Sequence, residues 1–585
     1  MHSNYDKQPY VTAAGCGNEH CFTGYERIAE KLNKRLQAVK QRNCILAIDC
    51  YPGVRINEIL EGLIKNIPAN LVIYTDDEVF YDNTYVNEKI QDHMTEDRVF
   101  GIMTHFSFEH FIDMEKITAV IGKIEETEGI IIVYGVGASL VCTPDIYVYA
   151  DLARWEIQQR YRSGEIANWK ADNFSDDSLK KFKRGYFFEW RTADRHKRNN
   201  FDNFDYLLDT NLKGYPKMIT AFSYFKGLEA AINSPFRVAP FFDPGVWGGQ
   251  WMKHKFSLDR NVENYAWAFD CVPEENSLLI KVGDQIIETP SINLTLRHPK
   301  ELLGEKVYTR YGAEFPIRLD FLDTMGGQNL SLQVHPLTDY IYQNFGIPYT
   351  QDESYYILDA GEDAEVYLGV KADIDQVRFI ADLKHAETGE ISFPADEYIN
   401  KFPAKKHDHF LIPAGTVHCS GSEAVVLEIS TTPYIFTFKL WDWDRLGLDG
   451  RPRPVHIEHG QKVIQYDRDT RWTQSNLINQ ISPVAEGDGW REEKTGLHEL
   501  EPLETRRHWF SKPVAHDTKG TLNVLNLIEG SECIVESPVN AFKPFIVHYA
   551  ETFIIPANVG AYIIRPYGAS EGKEIATLKV YVRNS

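Results

Sequence analysis

The chain has 585 residues, 43% of them hydrophobic and 13% aromatic, which excludes wholesale disorder and sets a prior of about three or four domains. Lys and Arg number 62 against 84 Asp and Glu, a formal net charge of −22, so nucleic acid and anionic membrane are disfavoured partners. An anionic small molecule would need a local cationic pocket, because distant charge is screened over about 8 Å. The N-terminal stretch MHSNYDKQPYVTAAGCGNEHC has no apolar core of a secretory signal, and no window approaches the roughly 18 apolar residues of a membrane span. Eight scattered cysteines fit free thiols and a cytoplasmic location. Cys16 and Cys21 flank His20, but no second Cys/His pair follows at zinc-finger spacing, so the expectation there is a surface loop.

Taken in chain order, residues 1–235 read as a doubly wound α/β domain. Residues 44–49 (CILAID), 71–75, 129–134 and 145–151 are continuous apolar runs, the pattern of strands buried on both faces of a parallel sheet. Helical stretches at 55–65 and 111–124 lie between them, and strand–helix alternation argues for a parallel sheet with crossover helices. Arg154, Arg160 and Arg162 are read as a candidate cationic patch, with a solvated helix face as the alternative.

From residue 236 the grammar changes to mainly β. Residues 330–336, 354–360, 365–371, 408–415 and 424–430 alternate as antiparallel strands of a barrel or sandwich do, with a helical insert near 290–312. The expected boundaries are 236–455 for a first β-module, 456–505 for an insert or connector, and 506–585 for a second module. An internal repeat supports two modules: HFLIPAGTVH ends at His418 and TFIIPANVGA ends at Ala561. Ala561 then stands at the position of His418, so the second module is expected to be metal-free.

In LSLQVHP, period-2 alternation puts Ser331, Gln333 and His335 on one face. That face is either solvated or part of a site. Glu353 opens the apolar run SYYIL, where an unpaired carboxylate would be costly, and His418 follows a tight turn. Gln333, His335, Glu353 and His418 together offer two imidazoles and two oxygens, a set suited to zinc or another divalent first-row ion.

The segments PFFDPGVWGG, FPIRLDFLD, LSLQVHP, DESYYILDA, IPAGTVH and LWDWDRLGLDGRPRPVHIEHG, in this order, resemble type I mannose-6-phosphate isomerase, a metal-dependent cupin enzyme, over about 340 residues. The resemblance implies a Zn²⁺-type site on Gln333, His335, Glu353 and His418. It implies Glu428 as acid/base in an aldose–ketose isomerisation, Ser331 at the substrate phosphate, and Lys439 beside both. Two positions depart from the family pattern: Lys439 replaces an arginine and Gln351 replaces a lysine, which weakens cationic recognition. The lead expectation is an isomerase acting on a small sugar phosphate. The alternative is a non-catalytic sugar-phosphate-binding or regulatory protein.

ILAIDCYPGVRINEILEGL (45–63), VYGVGASLV and DIYVYADLARWEIQQRYRSG resemble a uridine-kinase-like P-loop domain. A phosphate loop needs glycine amides, a lysine and a hydroxyl. Here Asp49 and Val54 occupy the glycine positions, Arg55 the lysine and Ile56 the hydroxyl. The expectation is a kinase-derived fold without ATP turnover.

Overall fold

The computed structural model describes residues 3–39, 41–389, 391–432, 435–496 and 498–583. The chain divides into two compact units: Tyr10–Ala230 with Ser277–Arg297, and Met1–Pro9, Ala231–Asn276 and His298–Ser585.

The first unit is built on a seven-stranded sheet ordered Cys21–Thr23, Lys217–Thr220, Tyr206–Asp209, Ile146–Asp151, Asn43–Cys50, Gly129–Gly135, Leu71–Tyr74. The last five are mutually parallel, and Lys217–Thr220 runs antiparallel to both of its neighbours. Three of the apolar runs became central strands covered on both faces, and every residue of Ile146–Asp151 is buried; the fourth, Leu71–Tyr74, is the edge strand, with only Ile73 buried. The hairpin Ser277–Val282 and Gln285–Pro290 pairs with Tyr10–Thr12 in a small separate sheet. Residues 277–297, expected within the first β-module, therefore pack with this unit.

Strand order reverses at Asn43–Cys50, and ligand crevices of open α/β sheets form at such points, beyond the carboxyl ends of the strands. A cavity of about 740 Å³ lies there, lined by Pro52, Gly53, Arg55, Tyr74, Asp76 and Trp169 among others. Several polar groups at this crevice and behind it are engaged internally. Asp49 accepts from the backbone N–H groups of Gly137 and Ser139, the Ser139 and Tyr147 hydroxyls and the His196 ring. Burial would raise its carboxyl, but His196 and Ser139 hold it below the ordinary value. Arg55 is bound by Glu165 and Glu156. Arg154 and Arg160 do not form a surface patch: both are buried, Arg154 on Asp194 and Arg160 on Glu156 and the carbonyls of Gly53, Thr210 and Asn211. Arg162 is exposed over Trp155. Magnesium ATP is therefore expected not to bind the full chain measurably in calorimetry; micromolar affinity would overturn the disabled-loop reading.

The second unit contains two pairs of antiparallel sheets. In the first pair a six-stranded sheet runs His409–Ile412, Glu353–Ala360, Ala424–Ser430, Arg318–Asp323, Trp267–Cys271, Phe241–Asp243. Its companion runs Ile399–Pro403, Glu365–Val370, His418–Ser420, Leu332–Val334, Phe438–Trp441. The second pair repeats the plan. Its six-stranded sheet, in the same spatial sequence, is Thr552–Ile555, Asn523–Glu529, Ile575–Val582, Leu503–Phe510, Trp490–Gly496, Ser482–Gly487. Its companion is Phe545–His548, Glu532–Glu536, Ala561–Pro566, Val514–Asp517. The two copies of the F-x-I-P-A repeat occupy the same edge strand of each six-stranded sheet.

The segment 456–505 is not a uniform connector. Helices Ile457–Gly460 and Thr470–Asn476 come first, and from Ser482 onward it supplies strands of the second module. Position 505/506 falls inside the strand Leu503–Phe510. Its charges mask the strand pattern because they pair across neighbours, Glu493 with Arg507 and Glu492 with Arg506 and His508.

Buried imidazoles give this unit an acid limit. Burial, aided by the Arg507 charge, pushes His409 down to about 3. The same burial lowers His508 and His516. An unfolded imidazole titrates near 6.5, so the unfolded chain binds the extra proton first; His409 costs nothing above about pH 6.5 and up to about 1.4 kcal/mol for each pH unit below it, down to its folded value. Chemical denaturation at pH 7.5 and 5 should show that slope, and His409→Leu should flatten it by one proton's worth.

Candidate metal centre and cavity

Gln333 pairs in register with His418 on one neighbouring strand and Lys439 on the other, so the three stand side by side on one sheet. Glu353 opens a strand of the facing sheet. The two sheets bring His335 Nε2 to 3.1 Å from Glu353 Oε2 and His418 Nε2 to 2.8 Å from Glu353 Oε1. The Gln333 amide lies 3.2 Å from His418 Nε2, and rotation by half a turn presents its oxygen at the same place. All four side chains are buried.

The outer ring nitrogens are tied to backbone carbonyls: His335 Nδ1 donates to Phe436 O at 3.0 Å and His418 Nδ1 to Thr416 O at 2.8 Å. That fixes the tautomer that leaves each Nε2 bare. Bare imidazole nitrogens then face a carboxylate in a buried space, and His335 Nε2 and Glu353 Oε1 have no hydrogen-bond partner. Lone pair against lone pair is costly unless a proton or a metal ion sits among them. Two neutral imidazoles, a carboxylate and an amide oxygen match a divalent first-row ion, so the residues fit a metal. Among the described residues, His335, Glu353 and His418 are the group of His, Cys, Asp or Glu whose ligating atoms all lie within 4.8 Å of one another.

Beside this cluster is a cavity of about 120 Å³. Arg318, Asp320 and Glu428 line it from the six-stranded sheet; Ser331, Gln333, His335 and Lys439 line it from the facing one, with Arg453 nearby. Asp320 and Glu428 are direct register partners, two carboxylates side by side. Arg318 bridges them, Nε to Asp320 Oδ1 at 3.0 Å and Nη2 to Glu428 Oε1 at 2.5 Å. Burial, with the charges of Asp320 and Glu353, pushes Glu428 well above the ordinary carboxyl range, against the pull of Arg318. A raised carboxyl is what a group that both takes and returns a proton needs.

Gln351 connects metal cluster and carboxylate. Phe436 N–H donates to its Oε1 at 2.8 Å, which turns its Nε2 to Glu353 Oε2 at 2.8 Å and toward Glu428 Oε1 at 3.4 Å. On the facing wall Ser331 Oγ donates to Asp442 Oδ1 at 2.7 Å, and Arg453 Nη1 reaches both Ser331 Oγ, 3.1 Å, and Asp442 Oδ2, 2.8 Å. Burial would raise Asp442, but Arg453, Arg445 and Lys439 hold it below the ordinary value.

Of the site residues read from the sequence, Ser331, Gln333, His335, Glu428 and Lys439 line the cavity, and Glu353 and His418 stand against His335 and Gln333. Arg318, Asp320 and Arg453 were missed. The signal for the first two was available: in RLDFLD the alternation puts Arg318 and Asp320 on one face.

The repeat needs one correction. Ala561 is exposed and does not take the place of His418. In the second module Asn523 pairs with Ile555 as Glu353 pairs with Ile412, and the side chain that meets Asn523 is Tyr562, its hydroxyl donating to Asn523 Oδ1 at 2.9 Å. The turn before Tyr562 is one residue longer than that before His418, which slides the register. An amide and a phenol thus replace the carboxylate and imidazole.

Residues 24–233 match the family model described as a domain of unknown function, DUF8485. A 236-residue stretch, 40% of this chain, is 28% identical to mannose-6-phosphate isomerase ManA of Bacillus subtilis, covering 69% of that protein. Mannose-6-phosphate isomerase of Streptococcus mutans is 28% identical over 225 residues, 37% of this chain and 64% of the relative. The crystal structure of the Bacillus subtilis mannose 6-phosphate isomerase matches with a TM-score of 0.48 at 20% identity, covering 60% of this chain and 100% of the other. About two fifths of this chain is therefore similar in sequence to curated mannose-6-phosphate isomerases.

Proposed function

We infer that this chain is a metal-dependent aldose–ketose isomerase interconverting mannose 6-phosphate and fructose 6-phosphate, with a kinase-like first domain that does not turn over ATP. The observation that carries the reading is one cavity flanked by a buried ligand set, a carboxylate of raised pKa and a cationic wall. The similarity to proteins named mannose-6-phosphate isomerase supports it. No helix among the described residues is long and apolar enough to cross a membrane, and eight free cysteines fit the cytoplasmic location that belongs to this reading.

Gln333, His335, Glu353 and His418 would hold the ion, zinc in the lead reading. A divalent ion there supplies a Lewis acid for the substrate oxygens. Isomerisation moves a proton between C1 and C2 through an enediol. Glu428 would take it from one carbon and return it to the other, and its raised pKa suits both halves. Gln351 would hold Glu428 and Glu353 at a constant separation. Ser331, Lys439 and Arg453 would receive the phosphate, lysine as a point charge. Lys439→Ala is expected to raise KM for the sugar phosphate by about 10-fold or more while metal content is unchanged, in line with loss of one hydrogen bond to a charged group.

A second reading, a sugar-phosphate-binding protein without chemistry, is favoured by one observation. Glu428 Oε1 is already engaged by Arg318 and by Ser430 Oγ at 2.8 Å, which restrains it as a base. A coupled assay of the metal-loaded protein with mannose 6-phosphate separates the two: turnover supports the isomerase, and binding without turnover overturns it.

A further inference from the structure

One wall of the cavity carries polar atoms that the isomerisation leaves unused. Arg318 and Asp320 both line the cavity and are 2% and 0% exposed. Arg318 spends Nε on Asp320 and Nη2 on Glu428. Its Nη1 has no hydrogen-bond partner among the described residues, and neither has Asp320 Oδ2. A buried guanidinium N–H and a buried carboxylate oxygen both call for completion by a ligand group.

Their chemistry specifies that group. A hydroxyl donates and accepts, so the hydroxyls of a polyol satisfy both atoms. A phosphate or carboxylate could serve only Arg318, and would bring its charge against Asp320 and Glu428. This wall carries one guanidinium against two carboxylates, whereas on the other side the single carboxylate of Asp442 is outnumbered by Arg453, Arg445 and Lys439. The cavity is therefore polarised, with one side for an anion and one for hydroxyls.

We propose that Arg318 and Asp320 are specificity-determining residues that read hydroxyl groups of the ligand and reject a second anionic group at that wall. The inference rests on the sugar-phosphate reading for the kind of ligand, and its test is binding rather than turnover. The full-length, metal-loaded protein is titrated calorimetrically with mannose 6-phosphate, its 2-, 3- and 4-deoxy analogues, unphosphorylated mannitol and fructose 1,6-bisphosphate. At least one deoxy analogue should bind about 10- to 100-fold more weakly than the parent, the scale of a lost hydrogen bond to a charged group. The bisphosphate should bind about 10-fold or more weakly than the monophosphate. In Asp320→Asn the penalty on that deoxy analogue should shrink toward unity and the bisphosphate should gain relative to the monophosphate, a reversal that mere loosening of the fold does not produce. Arg318→Lys, which keeps the charge but loses the fork, should likewise shrink a deoxy penalty.

The wild-type ratios test the idea even if both variants fail to fold. Equal binding of every deoxy analogue, equal binding of the bisphosphate, a uniform weakening of all ligands in Asp320→Asn, or no binding of any sugar would overturn it. Discrimination intact with no interconversion in the coupled assay would remove the isomerase reading and leave this one standing.

Discussion

Glu353→Ala and His418→Ala are each expected to release the metal ion and abolish turnover. A missing second-shell partner alone costs roughly 10- to 100-fold in metal affinity, so loss of a ligand should exceed that. Dialysed protein measured by inductively coupled plasma mass spectrometry should fall from near one ion per chain to a small fraction. The folded protein should also lose the ligand's contribution to stability, about 4 kcal/mol when free metal stands at 1,000 times its dissociation constant. Chelation of the wild type should lower its melting temperature in the same way, and both variants should be insensitive to chelator. A variant that keeps its metal would show that Glu353 and His418, despite meeting at 2.8 Å, are a structural ion pair and nothing more.

Glu428→Gln is expected to leave metal content and fold intact and to lower kcat by about 100- to 10,000-fold, the usual worth of a positioned acid/base. The amide keeps the shape and can still meet Ser430, so KM should change much less than kcat. In the wild type the acid limb of the kcat profile should lie above the ordinary carboxyl range, because burial and the neighbouring Asp320 and Glu353 raise this group. Activity would be present above that limb and lost as pH falls through it. A Glu428→Gln enzyme with unchanged kcat would assign the proton transfer elsewhere and favour the binding-protein reading.

How much of this was legible beforehand follows from the range of the interactions involved. Backbone periodicity is local: alternation in LSLQVHP is enough to place Gln333 and His335 on one face, and continuous apolar runs are enough to place four of the five parallel strands of the first unit, all but Tyr206–Asp209. Residue type is also local, so the donor set of the metal centre could be written down before any strand was paired. What local pattern cannot supply is the partner across a sheet. Asp320 beside Glu428, with Arg318 across both, exists only because strands about 110 residues apart pair in one register. The same holds for Tyr562 meeting Asn523 in place of the expected Ala561, where a turn longer by one residue slid the register. Residues 482–505 read as a polar connector because their charges are satisfied by neighbouring strands rather than by an apolar face. Residues 277–297 lie in the β-rich half of the chain but pack with the α/β unit, since the strand Ser277–Val282 pairs with Tyr10–Thr12, which no short-range pattern announces. Local chemistry thus determined which groups this protein could use, and long-range strand pairing determined which of them meet.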